Sequence, residues 1–531
     1  MKSRIKLIIF ITILCFSMFY NSFSAIETTG TTNALRTFNI GPGQEYETLG
    51  ELDWLNLQAG DEVRIHWRSE PYREKIGIHS RGTAENPIKI VGIPNSNGVL
   101  PWISGENAST VSQFFGWFSE EWDEFLGVFI VKRSTGQSWG YKPGFLTFEN
   151  LKITGGNPSY NYTSMNGVST SYANGAAAIW IVLGENITIR GCEITDNGNG
   201  LFVLSKNNDE AETSRDILIE GNYVHSNGNI GRDREHNIYT QAANITFQYN
   251  RVGRLREGAL GSSLKDRSSG TVIRYNWIES SARCIDLVEP EDSYQILTEE
   301  PDFNRTFVYG NILLNEYEDG YGSSANMVHF GGDSGGYEIY RKDLFFFHNT
   351  VVINVNQSDS WRTALFDLSS ENQSVYIRNN ILFSKGDTQF NLMRYYGNAH
   401  FQGGNWITEN WGEGREGMFE GQVLIEGTLI NGTDPGFVDE SQHDFSLKSN
   451  SDVIDKALTL PSNITDNHDV TLQYQKHQLS INRVMAGSAM DLGAVEYGIA
   501  FSEFTQNNSK IIIPLIFIGS FVTIWIIQKK K

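Results

Sequence analysis

Eight short segments of this chain share one local pattern at irregular spacing, and few folds tolerate that combination. They read FENLKIT, IRGCEIT, IEGNYVH, FQYNRVG, IRYNWIE, VYGNILL, FHNTVVI and IRNNILF. In each, two or three β-forming residues precede a small or polar pair, and a second apolar pair follows. Asparagine recurs at Asn150, Asn222, Asn250, Asn276, Asn311, Asn349 and Asn380, with Cys192 in the equivalent slot. From Asn222 onward the intervals are 28, 26, 35, 38 and 31 residues. Self-similarity at periods of roughly 20–50 residues marks a solenoid, in which each unit buries its apolar face only against its neighbours. Every unit here is strand and turn, with Gly or Asn where the chain must bend. The fold class is therefore all-β, a parallel β-helix, with asparagines at equivalent turns expected to form a hydrogen-bonded ladder. A β-sandwich would not combine a constant local pattern with irregular intervals.

A second alignment predicts which side chains leave the core. The segments AIWIV (178–182), LFVL (201–204), NIYTQ (237–241), SLKDR (263–267), CIDLV (284–288), MVHFG (327–331) and LFDLS (365–369) align by their apolar residues. Ile179, Leu201, Ile238, Leu264, Ile285, Val328 and Phe366 then point inward. Side chains alternate along a strand, so Trp180, Phe202, Tyr239, Lys265, Asp286, His329 and Asp367 form an outward column. Its rungs are about 4.8 Å apart if successive strands pair. Three aromatic rungs followed by four ionisable ones suggest a sugar-binding and catalytic groove. Asp266 falls on the inward side, where an unpaired carboxylate is costly. Either it pairs with Arg267 or Arg274 at a bend, or the register slips by one in that coil.

The formal net charge of −20 with no basic stretch argues against a nucleic-acid partner. It would also repel a polyanionic sugar unless cations line the site. Residues 1–24 read as a secretory signal, with Lys2, Arg4 and Lys6 before an apolar run and a small-x-small cleavage site. Residues 511–527 are an apolar run before three terminal lysines, read as a C-terminal transmembrane helix with a cytoplasmic tail at 528–531. The domain between is then exported, held at the cell surface and expected to be monomeric. Cys192 and Cys284 lie several coils apart, too far for a bridge. The β-helix is expected over 25–434, interrupted at 106–144 by a Trp- and Phe-rich insertion, with regular coils to about 385. A C-terminal β module over 435–497 is expected to close the solenoid, and 498–510 to link it to the anchor.

The stretches PYREKIGIHSRGTAENPIKIVG, EHNIYTQAANITFQYN, SLKDRSSGTVIRYNWIE, DLVEPED and MVHFGGD, with GFVD, DFSL and DLGAVEYG, carry a resemblance. They are similar to the pectate-lyase-like superfamily of right-handed parallel β-helices, and within it to exported prokaryotic polysaccharide-degrading enzymes. The resemblance covers nearly everything between 38 and 497. It implies cleavage of an acidic polysaccharide by β-elimination, often with Ca²⁺.

β-Elimination from a uronate needs a neutralised carboxylate, a base for the C5 proton and an acid for the leaving oxygen. Lys265 is the expected base. Arg267 and Arg283 are carboxylate clamps, and His329 or Tyr239 is the proton donor. Trp180 and Phe202 are expected to stack on sugar faces, and His236, Asn237 and Asp367 to contact substrate. Asp286, Glu289, Glu291 and Asp292 offer oxygen ligands for Ca²⁺, although the spacing is not that of an EF-hand. Two other readings stay open. Asp286 and Asp367, two coils or roughly 9–10 Å apart, could serve an inverting glycoside hydrolase. The membrane tether also suits a surface protein that binds glycans without cleaving them.

Overall fold

Three long sheets carry the chain, with 14, 13 and 11 strands among the described residues. The computed structural model describes residues 35–499 apart from 112, 114–120, 317–325, 334–338, 355–363, 386–388 and 416. Thr37 opens the compact unit to which everything below belongs. One coil is seen at Ile238–Thr240, Ala243–Gln248 and Arg251–Val252, one strand in each sheet. Leu264–Asp266 then starts the next coil, parallel to Ile238–Thr240 and in register with it. Two residues join the first strand to the second and two join the second to the third, while the return to the first sheet varies in length. Variation in that third connection explains the irregular spacing of the repeat. The protein is a parallel β-helix.

Packing follows from alternation. The inward set Ile179, Leu201, Ile238, Leu264, Ile285, Val328 and Phe366 is at most 1% exposed and belongs to one continuous core. Each such side chain contributes about 1.5–3 kcal/mol of burial free energy, which no single coil could collect alone.

The asparagine ladder runs through the turn between the second and third sheets. The backbone N–H and side-chain Nδ2 of Asn222 both donate to Asn250 Oδ1 at 3.0 Å. The same double donation links Asn250 to Asn276, Asn276 to Asn311, Asn311 to Asn349, Asn349 to Asn380 and Asn380 to Asn405. Cys192 takes the equivalent slot through its backbone N–H, which donates to Asn222 Oδ1 at 3.0 Å. Asn150 does not join. It occupies the preceding position, in the left-handed region at φ 56°, in line with Gly191, Gly221, Tyr249 and Tyr275. Asparagine tolerates that conformation, so the same residue type serves two adjacent columns.

The extent of the solenoid differs from expectation in three places. Gly127–Val131, inside the stretch expected to break the repeat, is a regular rung between Glu74–Ile78 and Ala177–Ile181. Regular coils pass 385 and end at Leu429–Gly432, because Asn405 extends the ladder. The terminal module lies along the flank of the stack. Phe437, Phe445, Leu447, Tyr474 and Leu492 cover Trp277, Ile312, Val352 and Trp406 on the outside of the 11-stranded sheet. Ile464 and Val470 pack with Tyr275, Tyr309 and Phe347 on the outside of the 13-stranded one. Cys192 and Cys284 are free and buried. No described helix is long and apolar enough to cross a membrane. The expected signal at 1–24 and the segments from 500 to 531 lie outside the described residues.

Candidate active site

Strand pairing builds the outward column rung by rung. Trp180 pairs with Phe202, Phe202 with Tyr239, Tyr239 with Lys265, Lys265 with Asp286, Asp286 with His329 and His329 with Asp367. The register does not slip at Asp266. That residue is fully buried, and its partner is neither Arg267 nor Arg274. Asp266 Oδ2 accepts from Arg341 Nη2 at 2.9 Å and Thr271 Oγ1 at 2.7 Å, while Oδ1 accepts from Thr240 Oγ1 at 2.7 Å. Arg341 arrives from two coils further on, a distance over which no local pattern could name it.

Trp180 and Phe202 stack with centroids 4.0 Å apart, and Phe202 meets Tyr239 edge-on at 4.8 Å. Phe202 and Tyr239 are half-buried. The ionisable rungs are recessed, with Lys265, Asp286, His329 and Asp367 between 1% and 7% exposed. Interlocked ion pairs draw the charged half of the expected groove inward.

Lys265 Nζ is bound by Asp333 and lies 3.8 Å from Asp286 Oδ2 and 5.5 Å from the Tyr239 ring centre. Arg267 donates from Nε to the Tyr239 hydroxyl at 2.9 Å, from Nη1 to the Glu289 carbonyl at 2.7 Å and from Nη2 to Asp333 at 2.8 Å. Its fork is occupied from within, so it is not an open carboxylate clamp in this state. Arg283 is freer. Its Nη1 donates to Asp286 Oδ1 at 3.0 Å, and its Nε has no partner among the described residues.

Asp286 is the electrostatic centre. Burial opposes its charge, but Arg283, Lys265 and His329 outweigh burial and hold the carboxyl well below the usual range. His329 Nδ1 lies 2.7 Å from Asp286 Oδ1, a contact that fixes the imidazole with Nε2 directed away from the carboxylate. Asp367 accepts from Asn326 Nδ2 at 2.6 Å and Arg394 Nη1 at 3.1 Å. Arg394 and Arg341 escaped the sequence reading. The segment NLMR (391–394) aligns as an eighth rung, since Met393 pairs with Phe366, so Arg394 was within reach of the same alignment.

His236 and Asn237, taken together as substrate contacts, part company. Asn237 is buried at 0% exposure and joins a second amide ladder. It accepts from Asn227 Nδ2 at 3.0 Å and donates to the Gly253 carbonyl at 2.7 Å, so its side chain is structural. His236 accepts at Nδ1 from the Ser262 N–H at 2.8 Å and packs edge-on to Tyr239. Burial, with Lys265 second, pulls its pKa down to about 3. It is therefore a neutral imidazole whose Nε2–H is a buried donor without a partner among the described residues.

The four expected calcium ligands do not converge. Asp286 is taken by Arg283 and His329, and Glu289 accepts the Asp333 N–H at 2.9 Å. Glu291 faces Arg267 at 3.2 Å, and Asp292 is exposed. Among the described residues no group of three His, Cys, Asp or Glu side chains is placed to hold a metal ion, so this donor set does not fit Ca²⁺. Two described cavities of about 680 and 540 Å³ lie on the flanking turns, around Trp139 and around Tyr340, and not on the column.

No family model and no curated protein matches the chain. Among solved structures it is similar to an alginate lyase from Paenibacillus sp. FPU-7, at 12% identity and TM-score 0.42 over 68% of this chain and 99% of that one. It is similar to the pectate lyase Pel9A at 12% identity and TM-score 0.40, over 87% and 96%. A lacto-N-biosidase from Eubacterium ramulus follows at 13% identity and TM-score 0.35, over 75% and 68%. At these scores the likeness carries no argument about activity.

Proposed function

We propose that the protein degrades polysaccharide as a lyase, cleaving a uronate-containing chain by β-elimination at the junction of the aromatic and charged rungs. The observation that carries this reading is the adjacency of Tyr239 and Lys265 on paired strands, with Arg267 bonded to both the Tyr239 hydroxyl and the carboxylate that holds Lys265. Elimination removes a proton and a leaving group from neighbouring carbons of one ring. Base and acid must therefore sit on the same or adjacent coils. Lys265 with Tyr239 meets that condition, whereas His329 is two rungs from Lys265. In the proposed step Lys265 takes the C5 proton, the C4–O bond breaks as the C4–C5 double bond forms, and Tyr239 protonates the departing oxygen. Arg283, with its unpartnered Nε, and the recessed His236 Nε2–H are the remaining donors for the substrate. Phe202, half-buried, meets a sugar ring on the far side of the scissile bond, and Trp180, expected to stack on sugar, is instead buried behind it with the two rings stacked.

The hydrolase reading is weaker, because an inverting pair needs one carboxylic acid that keeps its proton. Asp286 is held ionised, and Asp367 is in an ion pair with Arg394. Export and surface anchoring complete the proposal, supported by the sequences of residues 1–24 and 511–527.

The test is ultraviolet absorbance of unsaturated product, using the purified full chain on polygalacturonate, alginate and glycosaminoglycans. Lys265→Ala and Tyr239→Phe are each expected to lower kcat by about 10²–10⁴-fold with the fold intact. Reducing ends without absorbance would mean a hydrolase, and retention without product a glycan-binding protein.

A further inference from the structure

Asp333 follows the His329 strand by two residues and returns over the column. Its carboxylate binds Lys265 Nζ and, at 2.8 Å, Arg267 Nη2, while both Glu289 oxygens accept its backbone N–H at 3.1 and 2.9 Å. Exposure orders these groups by depth. The side chains of Lys265, Arg267 and Glu289 are 9%, 4% and 1% exposed, and that of Asp333 is 32%. The Asp333 carboxylate is thus more exposed than both cations it binds, and Glu291, 44% exposed, is the other carboxylate at Arg267 Nη2. Arg267 spends Nε on the Tyr239 hydroxyl and Nη1 on the Glu289 carbonyl, so Nη2 alone meets Asp333 and Glu291.

An ammonium and a guanidinium converging on one carboxylate is the arrangement by which proteins bind a ligand carboxylate. We propose that Asp333 holds, in the free protein, the place of a ligand carboxylate on Lys265 and Arg267, and that an acidic sugar binds by displacing it. The inference rests on the lyase reading of the same site and assigns its specificity. Exchange of one carboxylate for another preserves both charge-assisted contacts and releases Asp333 to water, while its backbone stays on Glu289. A neutral sugar has no equivalent group. It must leave Asp333 in place or leave Lys265 and Arg267 with only their longer contacts to Asp286, Glu289 and Glu291, which is costly. Asp333 is therefore a specificity-determining residue.

The test compares the full chain with its Asp333→Asn variant by calorimetric titration with saturated galacturonate and mannuronate trimers, and with maltotriose as the neutral probe. The variant is expected to bind at least one acidic trimer about tenfold tighter than the parent, with no gain for maltotriose. KM on the cleaved polymer should fall by a similar factor while kcat changes less. Unchanged or weaker acidic binding, an equal gain for maltotriose, or a loss of kcat alone would overturn the proposal and make Asp333 a brace. Salt gives a readout that survives a variant that fails to fold. Displacement conserves the number of ion pairs, so parent affinity should change by less than about threefold between 0.05 and 0.5 M NaCl, and a steep fall would show added rather than exchanged charge. Tighter acidic binding without unsaturated product would sink the lyase and keep the displacement. Unsaturated product from both proteins without a gain in binding would do the reverse.

Discussion

Asp266 illustrates how one buried charge can be read wrongly from its neighbours and still fall in the right register. Arg341, Thr240 and Thr271 satisfy its carboxylate inside the stack. Removing it leaves the Arg341 guanidinium, 2% exposed, without its carboxylate. Asp266→Ala should therefore cost about 3–5 kcal/mol, read as a fall in the urea midpoint, and Asp266→Asn should cost less because it keeps an acceptor for Thr240. A midpoint unchanged in the alanine variant would remove this pair from the account of stability. The residues facing outward were legible because alternation fixes them once the apolar set is aligned. Their partners were not. Asp333 and Arg341 reach Lys265 and Asp266 across 68 and 75 residues, and charge complementarity over such distances leaves no local trace, whereas Arg394 lies on the eighth rung beside Asp367.

At the scale of the element, the rung is held by amides as much as by apolar contact. Asn311 donates to Ile273 O and Asn349 Oδ1 and accepts from both N–H groups of Asn276. Asn311→Ala would take the acceptor from the buried Asn276 N–H and a donor from the Ile273 carbonyl, at about 1–3 kcal/mol for each unsatisfied group, with losses that overlap. The expected loss is about 3 kcal/mol, measured by thermal or chemical unfolding. A loss no larger than that of an exposed Asn→Ala change, such as at Asn56, would mean that the ladder adds nothing. The strand–turn–strand repeat made the ladder foreseeable from Asn222 to Asn380. It misplaced Asn150, because the left-handed turn position beside the ladder accepts asparagine too, and spacing alone does not separate adjacent columns.

At the scale of the whole molecule, two of the three outer faces are covered by the terminal module and the third carries the column. That wrapping was not foreseeable, since its apolar residues read equally well as an end cap. The same burial makes stability sensitive to acid. Burial holds His236 down to about 3 and His348 well below 6.5, the latter helped by Arg483. Their folded pKa values lie under the unfolded one, so the unfolded chain takes up protons first. Stability is complete above about pH 6.5 and falls as pH drops from there towards the folded values, by about 1.4 kcal/mol per pH unit for each histidine. Asp286, held low in the fold, adds a loss of the same sign once pH falls below about 4. Melting temperature measured from pH 8 to 4 should be level above pH 7 and then decline with increasing slope. A level profile down to pH 5 would show that these imidazoles reach solvent.

The amide ladder has a consequence for what can lie along the third face. Each rung is tied to the one before and the one after, so the column is a ruler whose graduations do not stretch. A partner laid against a ruler must do all the adjusting itself, and the ordering falls entirely on the partner's own freedom. A glycan that is already stiff and extended in water surrenders little by aligning with such an edge, whereas a coiled, flexible one surrenders a great deal.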